Sequence, residues 1–283
     1  MYVTHIERPN AAVIAFGPDD ARERGIQNWS LAPLQEQADA FRHPNRTFVS
    51  ELAFQFSGMH TGVPLARVFA PAVAHASGRI IEREQLSSRI RLGAAELYRN
   101  PGVPADGVFI EPGDAFVMSA AGCPFIIAHD RNGKFFAVAH AGRDSLVDRG
   151  AVMGTPSKGR SVSVVHALIG AFAKRGVPAR KIEMQMHFAL PCSSFEHRSD
   201  HPQYGEYNRR LGAFVDSRWR GCTKYRDDAL FLHLEFLFSE QAIGFGIKSV
   251  TAMNGLEEHP TLAHTHDGHE SSRRNLYIVK RNA

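Results

Sequence analysis

From Lys181 to Phe188 the chain alternates, with Ile182, Met184, Met186 and Phe188 on one side and Lys181, Glu183, Gln185 and His187 on the other. That period of two predicts a half-buried strand. Just before it, Val162, Val165, Ile169 and Phe172 recur at helical spacing and Gly176 and Pro178 act as stop signals, so 162–175 is predicted as a helix. Tyr207, Leu211 and Phe214 predict a second helix ending near Gly221, and Leu230 to Ile243 a third ending at Gly244. Near the N-terminus, the apolar run Ala11 to Phe16 predicts a strand, and Arg46 to Phe56 another, partly by alternation. The second leads into Ser57-Gly-Met-His60-Thr-Gly, whose two glycines put His60 at a strand end or turn.

Turn residues set the pairing. Pro112-Gly113-Asp114 separates Val108 to Ile110 from Ala115 to Ser119, which predicts two paired strands. Asp130-Arg-Asn-Gly133 joins Phe125 to Ala128 with Lys134 to Ala139, and Asn-Gly is a strong hairpin signal. Cys123 and His140 then lie at the same end of that hairpin, away from its turn, so they are predicted neighbours in space. Strands followed by helices, with only some crossovers, point to an α+β fold rather than a doubly wound sheet.

Composition mainly excludes. Apolar residues make up 43% of the 283 positions and charged residues 22%, as in a folded globular protein. The net charge of +4 is small for this length, and Lys and Arg form only short pairs such as Arg209 with Arg210, so no nucleic-acid partner is expected. The first residues lack a basic segment leading into an apolar core, so no secretory signal is expected. The stretches around Leu230 to Phe238 and Ala167 to Ala173 are too short to span a bilayer. The three cysteines, Cys123, Cys192 and Cys222, cannot all pair and lack the spacing of zinc ribbons, which fits a reducing cytoplasm. No strand-Gly-x-Gly-x-x-Gly-helix unit marks a dinucleotide cofactor.

Candidate chemistry centres on Cys123, His140 and His60. A thiol and imidazoles can hold a transition metal or serve as a nucleophile with its base. A lone cysteine is more often inert packing, and Cys192 and Cys222 are read as packing residues or surface thiols; the company of His60 and His140 makes Cys123 a functional candidate. His264, His266 and His269, with His259, are read as a polar loop rather than a second metal site. His129 and Asp130 are expected to serve their turn, and His166 and His233 to be structural.

Several ordered motifs carry a resemblance: Gly58-Met59-His60, Ala105-Asp106-Gly107-Val108, Ala120-Ala121-Gly122-Cys123-Pro124, His140-Ala141-Gly142-Arg143, Phe195-Glu196-His197, and His264-Thr-His266-Asp267-Gly268 with Ser271-Ser272-Arg273. In this order they resemble the elements of the YfiH-like laccase-domain family, also named polyphenol oxidases, peptidoglycan editing factors and purine nucleoside phosphorylases. The resemblance spans roughly His60 to Arg274. It implies a single domain over residues 1–283 with mixed sheets flanked by helices, related to the cytotoxic necrotizing factor deamidase fold. It also implies a zinc ion bound by His60, Cys123 and His140, with purine nucleosides and phosphate as partners, for phosphorolysis, adenosine deamination or both. Two imidazoles and a thiolate would fill three corners of a tetrahedron and leave the fourth open.

For phosphate, Arg143 is the first candidate and Arg273 the second, because a guanidinium presents paired donors. Glu196 stands where a carboxyl could shuttle protons during deamination. The sequence departs from the family pattern at Gly122, where an acidic residue is usual, and before Arg143, where a tryptophan is missing. His187-Phe188 replaces a Gly-Pro element, and Thr265 and His266 stand where two arginines are common. Three other readings compete: a thiol hydrolase or deamidase with Cys123 as nucleophile and His140 as base, a copper-dependent phenol oxidase, and a non-catalytic small-molecule binding protein.

Overall fold

The computed structural model describes residues 1–7, 10–23, 29, 31, 46–58, 64–73, 77–100, 102–155, 158–159, 161–253 and 274–282, with only the backbone at 22, 46–49 and 88. In chain order these residues form β1 (Tyr2–Ile6), β2 (Ala11–Phe16), α1 (Pro18–Glu23), α2 (Arg46–Phe56), β3 (Arg67–Phe69), β4 (Ile80–Ile81), β5 (Ser88–Leu92), β6 (Ala95–Arg99), β7 (Gly107–Phe109), β8 (Asp114–Ala120), β9 (Phe125–Asp130) and β10 (Phe136–His140). There follow α3 (Arg143–Leu146), α4 (Arg149–Val152), α5 (Val164–Ala173), β11 (Ile182–His187), β12 (Glu196–Arg198), α6 (Gly205–Asp216), β13 (Thr223–Arg226), β14 (Ala229–Leu232), α7 (Leu234–Gly244), β15 (Ser249–Met253) and β16 (Asn275–Arg281).

Three sheets organise the chain. A seven-stranded sheet runs β1-β2-β16-β8-β3-β6-β5, a six-stranded one β15-β11-β9-β10-β7-β4, and a small one β12-β14-β13. Both large sheets mix parallel and antiparallel neighbours: β3 lies parallel to β8 and β6, and β11 parallel to β15. The fold is α+β. The two large sheets face one another through aromatic rings, with Phe125 of β9 lying 5.6 Å from Tyr277 of β16. The far side of the seven-stranded sheet buries Ile14, Val117 and Ile278 with Trp29, Leu52 and Phe56. On the six-stranded sheet, Phe172 of α5 packs 5.1 Å from Phe109, so α5 covers the face away from the other sheet. β8 and β9 are buried along almost their whole length for that reason.

Several expected elements are present. β9 and β10 form the Asn-Gly hairpin, with His140 opposite Phe125. β11 alternates as expected at Ile182, Met184 and Met186, which are buried while Glu183 and Gln185 are half-buried. α5 begins after Ser163, whose hydroxyl accepts from the His166 backbone N–H and caps the helix. Val162, read as part of its apolar face, lies before the cap and is exposed.

Three expectations are corrected. The segment from Arg46 to Phe56 is helix α2, not a strand: Leu52 and Phe56, four apart and one turn of helix from each other, are both fully buried. Alternation at Leu52, Phe54 and Phe56 also fits a strand, and tertiary packing decides between the two. β7 and β8 do not pair with each other; β7 lies between β10 and β4, and β8 between β16 and β3. Pro112-Gly113-Asp114 instead turns the chain from one sheet to the other, held by the Glu111 N–H donating to the Asp114 carboxylate. The third helix begins only at Leu234, because Ala229–Leu232 is the central strand of the small sheet.

Candidate functional site

Cys123 occupies a corner between sheets. β8 ends at Ala120 in one sheet and β9 begins at Phe125 in the other, so the chain must turn sharply in between. Gly122, at φ 87°, takes the left-handed backbone conformation that this turn needs. The Ala141 N–H donates to the Pro124 carbonyl at 2.9 Å and ties the corner to the end of β10. His140 closes β10, and its backbone N–H donates to the Asp106 carbonyl at 2.8 Å, just before β7 starts. Three segments distant in sequence therefore converge at one end of the six-stranded sheet.

Asp106 is the hub of that convergence. Its carboxylate is fully buried and accepts from the Gly78 backbone N–H and, at 2.7 Å, from the Ser145 hydroxyl, and one oxygen lies 3.2 Å from Nδ1 of His140. The Ser145 oxygen is 2.9 Å from the same nitrogen. Since the Ser145 proton points at Asp106, Nδ1 must be the donor in this cluster, which turns Nε2 the other way. What Nε2 meets is shown by Gly142: a Cβ there would lie 2.9 Å from Nε2 of His140 and 3.0 Å from Sγ of Cys123. Thiol and imidazole border the same small space above the Gly142 backbone. Burial alone would lower the His140 pKa, but hydrogen bonds to Asp106 and Cys123, together with their charges, lift it to about 10.

The pair suits a metal chemically. Sulfur and imidazole nitrogen are the donors a zinc site uses, and a carboxylate on the distal nitrogen is the usual support of a metal-binding histidine. Among the described residues no three His, Cys, Asp or Glu side chains converge as a metal site, so this part of the chain supplies two donors. Gly142 has an ordinary φ of −63°, so alanine there strains nothing in the backbone. Gly142→Ala is expected to cost about 1–3 kcal/mol of stability, because the new methyl must displace an imidazole held by Asp106 and Ser145 or the thiol beside it, and the two donors no longer meet. Thermal melts and zinc content measured side by side check this.

Arg143, the first residue of α3, is held from several sides. Its Nε lies 2.7 Å and one terminal nitrogen 3.2 Å from the Asp144 carboxylate; the other terminal nitrogen is 3.3 Å from Nδ1 of His197. The Tyr207 hydroxyl donates to Asp144 at 2.9 Å, and the Tyr207 ring centroid is 4.8 Å from the guanidinium carbon. Burial works against the charge of both partners, yet their mutual hydrogen bonds keep Arg143 raised and Asp144 lowered.

Comparison with known proteins adds the fold. No family model and no curated protein matches the sequence. Solved structures do match: YlmD from Geobacillus stearothermophilus (TM-score 0.63, 14% identity, 97% of this chain and 92% of that one), the Bacillus licheniformis hypothetical protein YfiH (0.62, 14%, 97% and 94%) and the Neisseria meningitidis protein NMB0706 (0.59, 13%, 97% and 94%). This chain has the YfiH fold.

On the YfiH fold the expected site residues fall unevenly. Cys123 and His140 meet, and Arg143 follows one residue after the Gly142 backbone they border. Glu196 lies in β12, 3.4 Å from Arg198, and the next residue, His197, turns inward to Arg143 instead. His60, Arg273, His259, His264, His266 and His269 lie outside the described residues. After His60 the chain enters the large sheet at Arg67, opposite Asp114, whereas Cys123 follows the other end of β8. Asn275, two residues beyond Arg273, pairs with Ala120 at that other end.

The sequence did not mark four residues as part of this region: Asp106 in its bonding role, Ser145, His197 and His187. His187 was placed on the polar side of β11, yet it is fully buried, stacked on Phe125 at 5.2 Å, and neither ring nitrogen has a hydrogen-bond partner among the described residues. In the register Phe125 stands between His140 and His187. No helix among the described residues is long and apolar enough to cross a bilayer.

Proposed function

We propose that this protein is a divergent, cytoplasmic, single-domain member of the YfiH-like family, a zinc-dependent enzyme acting on purine nucleosides or a related small molecule by phosphorolysis, adenosine deamination or both. The observation that carries the metal reading is the lock on His140: Asp106 and Ser145 take Nδ1, and Nε2 is left facing Cys123. When bound, zinc would supply Lewis acidity to the group under attack or departing; copper is the alternative for the same donors. Cys123 and His140 would hold two corners. Asp106 would accept from Nδ1 and so leave Nε2 as the nitrogen for the metal.

Arg143 has one edge on Asp144, so a phosphate or nucleoside oxygen would be met by its remaining edge, beside His197. Arg273 would be the second contact for phosphate, and Glu196 the proton shuttle if its side chain turns from Arg198. Two histidines compete for the third corner. His60 is favoured by its motif. His75 is favoured by its tether, because it stands two residues before Ser77, and both Ser77 and Gly78 hydrogen-bond the Asp106 carboxylate that supports His140.

Protein purified without added metal is expected to carry near-stoichiometric zinc, lost in Cys123→Ser and His140→Ala and in one of His60→Ala and His75→Ala. Adenosine with phosphate should yield adenine or inosine by chromatography. Metal-free wild-type protein that stays folded and active would overturn the metal reading.

The same geometry favours one second reading. Cys123, His140 and Asp106 also stand in the order of a nucleophile, its base and the orienting carboxylate, as a thiol hydrolase needs. Iodoacetamide separates the two. A zinc thiolate is alkylated slowly until a chelator is added, whereas an activated free thiolate reacts fast with or without one.

A further inference from the structure

We propose that the cleft between α6 and the β13–β14 hairpin binds the vicinal hydroxyls of a sugar ring. The cleft holds about 460 Å³, the size of a small-molecule site. His197 forms part of its wall, and Nδ1 of His197 lies 3.3 Å from Arg143, so the cleft borders the candidate centre. The proposal stands apart from the zinc reading and concerns different side chains.

The wall carries hydrogen-bonding capacity that the protein does not use. Asn208, 4% exposed, backs the cleft, and its amide nitrogen donates to the Arg198 carbonyl at 2.8 Å. Asp227 and Asp228 form the tip of the hairpin at φ 49° and 60°, and both line the cleft with carboxylates that have no ion pair or hydrogen bond among the described residues. Arg226 lies over the Phe231 ring at 5.0 Å rather than on a carboxylate. Acceptors are thus in excess, with one uncommitted guanidinium as donor. An anion would meet two carboxylates, whereas adjacent hydroxyls can donate to the carboxylates and accept from the guanidinium.

Tyr225 adds an apolar platform. Its ring is 62% exposed, its hydroxyl donates to Asp216 at 2.8 Å, and it lies so close over Gly212 that any side chain there would collide with it. A ring fixed in this way can take the C–H face of a sugar without further loss of rotamer freedom.

Two sources share this chemistry, the ribose of a nucleoside and a pyranose of a glycan, and binding spectra of the full chain distinguish them. Titrating ¹⁵N-labelled protein with methyl β-ribofuranoside and, separately, methyl β-glucopyranoside should shift the amide signals of residues 225–229 and Asn208. A response to the furanoside alone assigns the site to nucleosides, and a response to the pyranoside alone assigns it to glycans. Tyr225→Ala and the double variant Asp227→Gly with Asp228→Gly should weaken binding about ten- to a hundredfold. The glycines suit the left-handed turn, so the double variant keeps its fold. Absence of shifts with both sugars, or unchanged affinity in both variants, overturns the proposal.

Discussion

Asp106→Asn is expected to leave the protein folded and to weaken zinc binding ten- to a hundredfold, the usual scale for removing the carboxylate behind a metal-binding histidine. Asparagine keeps the shape but can offer only one acceptor oxygen where Asp106 accepts from Gly78 and Ser145 and faces His140. Its amide N–H₂ must then face one of these donors. If it faces His140, Nδ1 becomes the acceptor and the imidazole keeps its one proton on Nε2, the nitrogen a metal would need. Asp106→Ala goes further, since it takes the acceptor from the Gly78 N–H and the Ser145 hydroxyl and the charge partner from His140, and should cost about 3–5 kcal/mol of folding stability. Competition against a fluorescent zinc chelator reads the first effect and urea unfolding the second. Wild-type zinc affinity in Asp106→Asn would show that Asp106 serves folding alone.

This asymmetry between variants reflects what the sequence made legible. The β9–β10 hairpin could be read because two local signals agree, Asn132-Gly133 at the turn and apolar residues on either side. The hairpin alone put Cys123 near His140. The Pro112-Gly113-Asp114 turn was misread because turn chemistry fixes a reversal of direction and says nothing about which sheet the next strand joins. Arg46 to Phe56 failed for a related reason: its apolar residues suit both periods, and the side of the seven-stranded sheet that needed covering selected the helix. Asp106 and Ser145 were illegible as site residues because their roles exist only where the turn before β7, the end of β10 and α3 converge. His187 shows the limit of alternation. The outer positions of β11 are half-buried at Glu183 and Gln185, but the last one reaches the space between the sheets.

His187→Phe carries the other large expected effect, and its sign depends on pH. Burial pushes the His187 pKa down to about 4, while a histidine in the unfolded chain titrates near about 6.5. Above that unfolded value the imidazole is neutral in both states and its burial costs no proton. As pH falls through the window between the two, the unfolded chain takes up a proton that the folded chain refuses, so stability declines and the loss levels off below the folded pKa. At 1.36 kcal/mol per pH unit the full loss is about 3 kcal/mol. Phenylalanine has nearly the same shape, can keep the stack on Phe125, and does not titrate. The variant should therefore lose about 3 kcal/mol less than the parent between pH 7.5 and 4.

At pH 7.5 it should also be more stable by about 1–3 kcal/mol, because two buried nitrogens with no partner among the described residues are removed. Urea unfolding of both proteins at the two pH values measures both quantities, and the common acid sensitivity of the other groups cancels in the difference. Equal pH dependence in parent and variant would mean that His187 is protonated in the folded state, which would require a partner for its charge. A gain in stability at neutral pH would show that this histidine, which flanks Phe125 of β9 on the side opposite His140, is kept at a cost to the fold. Residues of that kind are concentrated at functional sites. The variant's zinc content, compared with its stability, then separates a role for His187 in the centre from a role in packing alone.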